Sequence, residues 1–180
     1  EWMRYPNAPV VYPLGIRGDG LENVAQRWKQ EWEARGEFLR KLPDGVLIMV
    51  GLNDSAKIGK INGRPKLSTQ AYRFGMQQLI REIKQHTHVM VMGLTPIDET
   101  LMPFAKCLWY SNDSITIYEA QIEEACLEEN VPFLPLHTAM MNETEWETWI
   151  EPDGIHLNTD GHQWIYRRLM NWSSINSWAG

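Results

Sequence analysis

The stretch VLIMVGLND, residues 46 to 54, decides the fold class. From Val46 to Gly51 it contains no charged residue and no proline, which is typical of a strand that helices cover on both faces. The polar pair Asn53 and Asp54 follows at once. Ligands of an open parallel sheet bind beyond the carboxyl ends of its strands. The stretch therefore predicts a central strand and, directly after it, one side of a binding site.

Three more apolar runs lie along the chain, at residues 9–16 (PVVYPLGI), 88–94 (HVMVMGL) and 131–137 (VPFLPLH). The run at 88–94 has no proline and predicts a second central strand. The other two contain Pro13 and Pro135, and an internal proline removes a donor from the ladder, so we expect both at sheet edges or bulges. Strands that alternate with longer helical segments indicate an α/β domain with a mainly parallel sheet.

Between these runs the apolar spacing changes from two residues to about 3.6, which predicts helices that cover the sheet. A last helix is expected to begin near Asn158 or Thr159. The chain shows no internal repeat or linker, so one three-layer α/β/α domain is predicted over residues 1–180. The predicted buried faces are Leu21, Val24, Ala25, Trp28 and Trp32; Tyr72, Met76, Leu79, Ile80 and Ile83; Ile115, Tyr118, Ile122 and Ala125; and Ile165, Leu169 and Trp172.

Composition and charge exclude several classes of partner. The 180 residues carry 17 Lys and Arg against 23 Asp and Glu, a net charge of −6, with no basic run that could follow a phosphate backbone, so nucleic acid is not expected. No stretch approaches the roughly 20 apolar residues that span a bilayer, so we expect no integral membrane association. Cys107 and Cys126 form neither a disulfide framework nor a metal-finger spacing. A reducing compartment, by default the cytoplasm, is therefore the expectation.

Polar residues of catalytic type follow three of the four apolar runs. They are Gly15-Ile-Arg-Gly18-Asp19-Gly20, Gly51-Leu-Asn53-Asp54 and, across a longer loop, Asp153-Gly-Ile-His156. Taken singly, each has an ordinary explanation as a glycine turn, a cap or a solvated loop pair. Their occurrence in this order at successive strand ends favours a common site.

The three blocks resemble those of the SGNH hydrolases, the GDSL family of lipases and esterases. That family has a Gly-Asp-Ser nucleophile turn, a glycine turn after the second strand, a Gly-x-Asn-Asp after the third, and an Asp-x-x-His before the last helix. Here the Gly18 turn is similar to the second block, Gly51 to Asp54 to the third and Asp153 to His156 to the fourth. The match extends from about residue 10 to residue 172. It implies a flavodoxin-like strand order, 2-1-3-4-5.

The resemblance also implies a role for each matched residue. His156 would be the general base, because a neutral imidazole with a usual pKa near 6.5 can take a serine proton at about pH 7. Asp153 would orient that ring and stabilise the imidazolium. The side-chain amide of Asn53 and the backbone N–H of Gly18 would stabilise the oxyanion, at about 3 kcal/mol each. Asp54 is expected to brace the Asn53 turn.

This machinery implies a metal-independent enzyme without a cofactor, acting on a small-molecule ester such as an acyl ester or an acetylated sugar. Specificity would lie in the loops. One connection beyond a strand end is expected to shape the substrate cleft, since it carries the large apolar residues Met102, Phe104, Leu108, Trp109 and Tyr110.

The nucleophile block of the family is missing. Gly18-Asp19-Gly20 has glycine where the serine would stand, and the resemblance points the side chain of Ser55 into the following loop. In the implied strand order the absent first strand lies between the runs at 9–16 and 46–51. Its omission would leave two ladders unpaired, at about 1–3 kcal/mol for each orphaned group.

We therefore expect an N-terminally truncated sequence, with the first strand and the serine upstream of Glu1 and with the opening Glu-Trp-Met-Arg at the end of a first helix. Two other hypotheses stay open. The chain could be a non-catalytic binding module that kept the fold and lost the serine, which the upstream residues would reveal. A metal-dependent phosphoesterase would instead need ligand histidines, and Gly-Leu-Asn-Asp contains none.

Overall fold

Helices and short strands alternate along the chain. A computed structural model describes residues 10–39 and 41–179. The strands are β1 (Gly45–Ile48), β2 (Lys57–Ile58), β3 (His88–Met92), β4 (Leu108–Trp109) and β5 (Phe133–Leu134). The helices are α1 (Leu21–Leu39), α2 (Leu52–Ser55), α3 (Thr69–Lys84), α4 (Asn112–Glu129), α5 (His137–Met141), α6 (Thr159–Met170) and α7 (Ser173–Ala179), with 3-10 turns at Glu99–Leu101 and Trp146–Trp149.

The main sheet is parallel and has β3 at its centre. β1 pairs with one side of β3, with Val46 opposite Val89, and β5 pairs with the other side, with Val91 opposite Phe133. A second, antiparallel pair joins β2 to β4. The predicted parallel sheet is confirmed, as are the central position of β3 and the edge position of β5.

The two faces of the sheet bury different side chains, because successive residues of a strand point to opposite faces. Val46 and Ile48 of β1 contact a core that also contains the buried faces of α1, α3 and α4. Leu47 contacts a second core, which includes Met140 of α5 and Trp164 of α6. Helices thus cover both faces, and the predicted three-layer α/β/α arrangement is confirmed.

The apolar faces predicted for α1, α3 and α4 are inside the molecule, whereas Ile165, Leu169 and Trp172 of the last predicted face are partly buried against the second core. In α3 and α4 every residue of the predicted faces is buried. In α1, Leu21, Trp28 and Trp32 are buried and the two smaller residues pack partly against them. Asn158 is the cap of α6, since its side chain accepts hydrogen bonds from the N–H groups of Asp160 and Gly161.

Two strand predictions differ from the structure. Pro9 and the opening Glu-Trp-Met-Arg lie outside the described residues, and residues 10–16 form no strand. β1 lies at an edge of the sheet and not at its centre. The reason for both is the same: within the described residues no strand pairs with the free side of β1. Residues 10–16 do not pair with that side of β1, and Met49, just after β1, is 42% exposed.

Candidate active site

The Asp153 to His156 turn lies between the Trp146–Trp149 turn and α6. One carboxylate oxygen, Asp153 Oδ1, accepts hydrogen bonds from the backbone N–H groups of Ile155 (2.9 Å) and His156 (3.0 Å). The other, Oδ2, lies 2.5 Å from His156 Nδ1. The carboxylate therefore shapes the turn and orients the ring together. No described residue forms a hydrogen bond with His156 Nε2, and the side chain is 53% exposed, so Nε2 can exchange a proton with a ligand.

Neighbouring segments fix this turn in place. Gly154 has φ +81°, and a Cβ at this position would lie only 2.8 Å from the Cβ of Leu101. The Gly154 carbonyl accepts a hydrogen bond from the N–H of Asp98 (2.9 Å), and the His156 carbonyl accepts one from the N–H of Glu151 (2.7 Å). Glycine is needed at 154 for its backbone conformation and for this close approach.

Hydrogen bonding keeps the Asp153 carboxylate ionised. Burial by itself would raise its pKa, but the hydrogen bonds from the His156 and Ile155 amides and from the His156 ring outweigh burial, so the pKa of Asp153 is lowered. A carboxylate that stays charged at neutral pH is the partner that stabilises an imidazolium.

The Asn53 amide is held by groups from two distant segments. Asn53 lies in α2, which residues 49–51 connect to β1. Its Nδ2 donates a hydrogen bond to the backbone carbonyl of Asp19 (2.9 Å), and its Oδ1 accepts one from the Tyr110 hydroxyl (3.3 Å). Among the described residues no acceptor takes the second Nδ2 hydrogen. The amide therefore keeps one N–H free to bind a ligand.

The Gly18 turn is attached to Asn53 through the neighbouring residue. The N–H of Asp19 donates a hydrogen bond to the Ile16 carbonyl (3.2 Å) and closes the turn, while the Asp19 carbonyl binds Asn53. Gly18 has φ +84° and is exposed. In the part of the chain that the structure describes, its N–H has no acceptor. The two predicted oxyanion donors are thus linked through Asp19, and each has a free N–H.

Asp54 is a structural residue with a different partner from the one expected. Both of its carboxylate oxygens accept from the N–H of Leu21, at 3.0 and 3.1 Å, so it joins α2 to the first residue of α1. A Cβ on Gly20 would lie 2.6 Å from Asp54 Oδ1, which is why glycine precedes the helix. Burial raises the pKa of Asp54, although the hydrogen bond from Leu21 acts against this.

Ser55 does not meet the requirements of a nucleophile. It is buried, and its hydroxyl donates a hydrogen bond to the Leu52 carbonyl (2.8 Å) within the same turn. It forms no hydrogen bond with a histidine. The resemblance pointed this side chain into the following loop, whereas in the structure it turns back onto its own helix, α2.

Aromatic rings connect the two halves of the site. Phe104 lies edge-on to the His156 ring, with centroids 6.2 Å apart, and edge-on to Tyr110 at 6.5 Å. The Tyr110 hydroxyl then reaches Asn53. His156 and Asn53 do not bond to each other; the contacts between them run through these two rings.

A cleft of about 210 Å³ opens between the glycine turn, the end of β1 and the residues after β3. Its lining includes Gly15, Asp19, Met49, Asn53, Leu94 and Thr95. The cleft provides space for a small group beside the Asn53 amide.

Two kinds of feature are absent from the described residues. They contain no group of three or more His, Cys, Asp or Glu side chains that could hold a metal ion. None of their helices has both the length and the apolar character to cross a membrane.

A model of the GDSL-like lipase/acylhydrolase family matches residues 3–164. The chain belongs to this family. The matched range includes the Gly18 turn, the Asn53 turn and the Asp153 to His156 turn. Membership of a family of lipases and acylhydrolases favours a hydrolase over a binding module.

Several solved structures have a fold similar to that of this GDSL-like chain. A lipase/acylhydrolase from Enterococcus faecalis has a TM-score of 0.69 at 19% identity, over 86% of this chain and 70% of that one. The psychrotrophic esterase EstA from Pseudoalteromonas sp. gives 0.62 at 16%, over 94% and 78%. The acetyl xylan esterase AlAXEase gives 0.63 at 18%, over 87% and 77%. A search of curated proteins found no match to the chain.

Two residues of this GDSL-like chain have contacts that the sequence did not reveal. The Tyr110 hydroxyl binds Asn53 across 57 positions of sequence. Glu119, buried in α4, accepts three backbone N–H groups through Oε1, from Leu94, Leu136 and His137, and so joins the segments after β3 and β5. The only sequence signal for Glu119 is a carboxylate beside the apolar face of a helix, which is too common to be specific.

Proposed function

We propose that the protein hydrolyses carboxylic esters through a covalent acyl-enzyme. His156 is the general base, Asp153 orients it, and the Gly18 N–H and the Asn53 amide stabilise the oxyanion. The nucleophile is a serine from a segment that precedes Glu1. Membership of a lipase and acylhydrolase family supports ester hydrolysis, and the geometry of the two site halves supports the assignment of roles.

Apart from the upstream serine, the protein groups in this reaction are those of the two site halves. The serine oxygen attacks the ester carbonyl carbon while its proton passes to His156 Nε2. The carbonyl oxygen becomes an oxyanion and accepts hydrogen bonds from Gly18 and Asn53. Collapse breaks the bond to the alcohol, which takes the proton from His156. Water then repeats the sequence and releases the acid.

The observation that carries this proposal is the state of the His156 ring. Asp153 binds Nδ1, which places the proton of the neutral ring on Nδ1 and leaves the lone pair on Nε2. Nε2 has no partner among the described residues. A histidine with an ionised carboxylate on one nitrogen and a free second nitrogen can act as a base toward a hydroxyl.

The sheet edge supports an upstream source for the serine. The free side of β1 carries ladder groups without a strand partner in the described residues, and Met49 at its end is 42% exposed. The neighbouring segment exposes Val10, Val11 and Ile16. A strand inserted between this segment and β1 would pair the ladder and cover the apolar groups. Its carboxyl end would lie beside the cleft that Asn53 lines.

The substrate we propose is a small ester, either an acyl ester or an acetylated sugar. The cleft beside Asn53 is small, at about 210 Å³, which suits a short acyl group. The fold neighbours include a protein described as an acetyl xylan esterase. The site uses no metal in this mechanism.

The test is the hydrolysis of p-nitrophenyl acetate by the full-length protein and by a His156→Ala variant. We expect the variant to lose at least about 1,000-fold in kcat with its thermal midpoint unchanged, because the exposed ring supports little packing. The matched control is His162→Ala, which removes an exposed histidine of α6 and should keep full activity. Retention of activity in His156→Ala would refute the proposal.

A further inference from the structure

The Asn53 amide is bound at both ends. At one end Nδ2 donates to the Asp19 carbonyl, and at the other Oδ1 faces the Tyr110 hydroxyl. A carbonyl can only accept, so the group facing Asp19 must be the NH2. The Tyr110 hydroxyl must therefore donate to Oδ1. The amide orientation follows from these partners without ambiguity.

Two hydrogen bonds at opposite ends of a planar group also fix its plane. The amide group turns about the Cβ–Cγ bond, and one hydrogen bond, from Nδ2 to Asp19, would limit that rotation only in part. The second hydrogen bond, from the Tyr110 hydroxyl to Oδ1, restricts the rotation further. The free N–H lies in the same plane as the bound one, so its direction is fixed once the amide plane is fixed. Asn53 lines the cleft, where a ligand could accept this N–H.

Tyr110 is suited to hold this orientation. Its side chain is only 5% exposed, and Phe104 packs edge-on against its ring. It directly follows β4, whose pairing with β2 anchors the backbone. Burial raises the pKa of Tyr110 to about 12, so its hydroxyl keeps the proton that it donates throughout the neutral range.

We propose that Tyr110 is a positioning residue, which fixes the Asn53 amide so that its free N–H points to the oxyanion. This rests on the proposed function, in which Asn53 is an oxyanion donor. Tyr110 does not touch the reacting atoms. Its effect passes through Asn53 alone, and this makes the proposal testable against a purely structural role.

The first experiment measures kcat and KM of Tyr110→Phe in the full-length protein with p-nitrophenyl acetate. Removal of an oxyanion donor costs about 100-fold or more in kcat, and a misoriented donor should cost part of that, about tenfold. KM should stay within about twofold, since ground-state binding is not affected. Tyr118→Phe is the control. Tyr118 is also buried, and its hydroxyl donates to the Leu67 carbonyl and not to Asn53.

The control separates positioning from stability. Both variants lose one buried hydroxyl hydrogen bond, so both should lower the thermal midpoint to a similar extent. Only Tyr110→Phe should lower kcat. A kcat loss in Tyr110→Phe no larger than that in Tyr118→Phe would overturn the proposal.

The second experiment introduces Tyr110→Phe into an Asn53→Ala background. If the hydroxyl acts through the amide, it has nothing left to orient, and the double variant should have the kcat of Asn53→Ala. An additional tenfold loss in that background would mean that Tyr110 acts on something else, and would overturn the proposal.

A third readout does not depend on activity. The side-chain NH2 signals of Asn53, assigned by their loss in Asn53→Ala, should shift in a 15N correlation spectrum of Tyr110→Phe and stay in place in Tyr118→Phe. If wild-type protein has no esterase activity, the proposed function fails while this spectrum still decides the positioning of Asn53. Unshifted Asn53 signals would overturn the positioning role.

Discussion

The two halves of the candidate site are built in different ways. In the half that contains Asp153 and His156, the hydrogen bonds of the Asp153 carboxylate join residues two or three positions apart, and the bond from Asp98 to Gly154 only holds the finished turn in place. In the half that contains Asn53, the contacts join residues 34 and 57 positions apart. The first half is a local turn and the second is a junction of three segments.

The difference shows how each half should respond to change. A turn whose catalytic carboxylate bonds only to its own residues can lose its chemistry and keep its shape. A junction depends on the packing of every segment that meets there, so a change should affect stability and chemistry together. Substitutions in each half can therefore separate the two kinds of construction.

Asp153→Asn should show the largest effect in the local half. The asparagine oxygen can still accept the N–H groups of Ile155 and His156, so the turn should keep its shape, while the charge that stabilises the imidazolium is lost. We expect kcat to fall about 10³- to 10⁴-fold, with at most a small drop in the thermal midpoint measured by calorimetry. Asp160→Asn, at an exposed position in α6, should change neither. A large drop in the midpoint of Asp153→Asn would show that the turn is not self-contained.

Asn53→Ala should affect both properties of the junction. It removes one oxyanion donor, which costs about 100-fold in kcat, and it leaves the buried Tyr110 hydroxyl without its acceptor, which costs about 1–2 kcal/mol of unfolding free energy. Steady-state kinetics and urea unfolding measure the two effects. Asn62→Ala, in an exposed loop, is the control. A kcat loss without a stability loss would contradict the description of this half as a packed junction.

Gly20→Ala should destabilise the junction through the neighbouring Asp54 carboxylate. The new Cβ would lie 2.6 Å from Asp54 Oδ1, and Asp54 is buried, so the carboxylate that binds the start of α1 must move. We expect a loss of about 1–3 kcal/mol in unfolding free energy. Gly15→Ala is a matched control in the same segment, because nothing lies within 4 Å of its Cβ position. Equal stability of the two variants would show that the junction adapts more easily than the contacts indicate.

His137 provides the smallest effect and a contrast with His156. It is buried between Thr116 (Nδ1 to Oγ1, 3.3 Å) and Asn112 (Nε2 to Oδ1, 3.2 Å), and burial lowers its pKa. The unfolded chain binds a proton at about pH 6.5, where the folded chain does not. The contribution of neutral His137 to the free energy of unfolding is therefore complete above pH 6.5 and is lost as the pH falls below that value.

Thermal midpoints between pH 5 and 8 measure this loss. The slope on the acid side should be smaller in His137→Gln, which does not titrate, and unchanged in His162→Ala. Identical slopes in wild type and His137→Gln would assign the acid sensitivity to other groups.

The sequence predicted those features that depend on local pattern. Helix faces such as Tyr72 to Ile83 follow from a 3.6-residue period, and an uninterrupted apolar run predicted β3 at the centre of the sheet. The contact between Asp153 and His156 was also predicted, because one turn brings the two side chains together. Their catalytic roles stay predictions until the kinetics are measured.

The features that were wrong or missed depend on distant partners. The run at 9–16 has the composition of a strand, but its described residues, 10–16, do not pair with the free side of β1. β1 has the composition of a central strand and lies at an edge for the same reason. The partner of Asp54 proved to be Leu21, 33 positions away, which no spacing rule could have predicted.

The sequence by itself determined the α/β class, the helix faces and the Asp153–His156 pair, since each depends on periodicity or on residues within one turn. Only the tertiary structure decided that no described strand pairs with the outer side of β1, that Asp19 and Tyr110 hold the Asn53 amide, and that Phe104 links it to His156. A hydrogen bond within a turn needs only the backbone between its two ends. A bond between distant segments forms only where the packing of the whole domain brings its partners together.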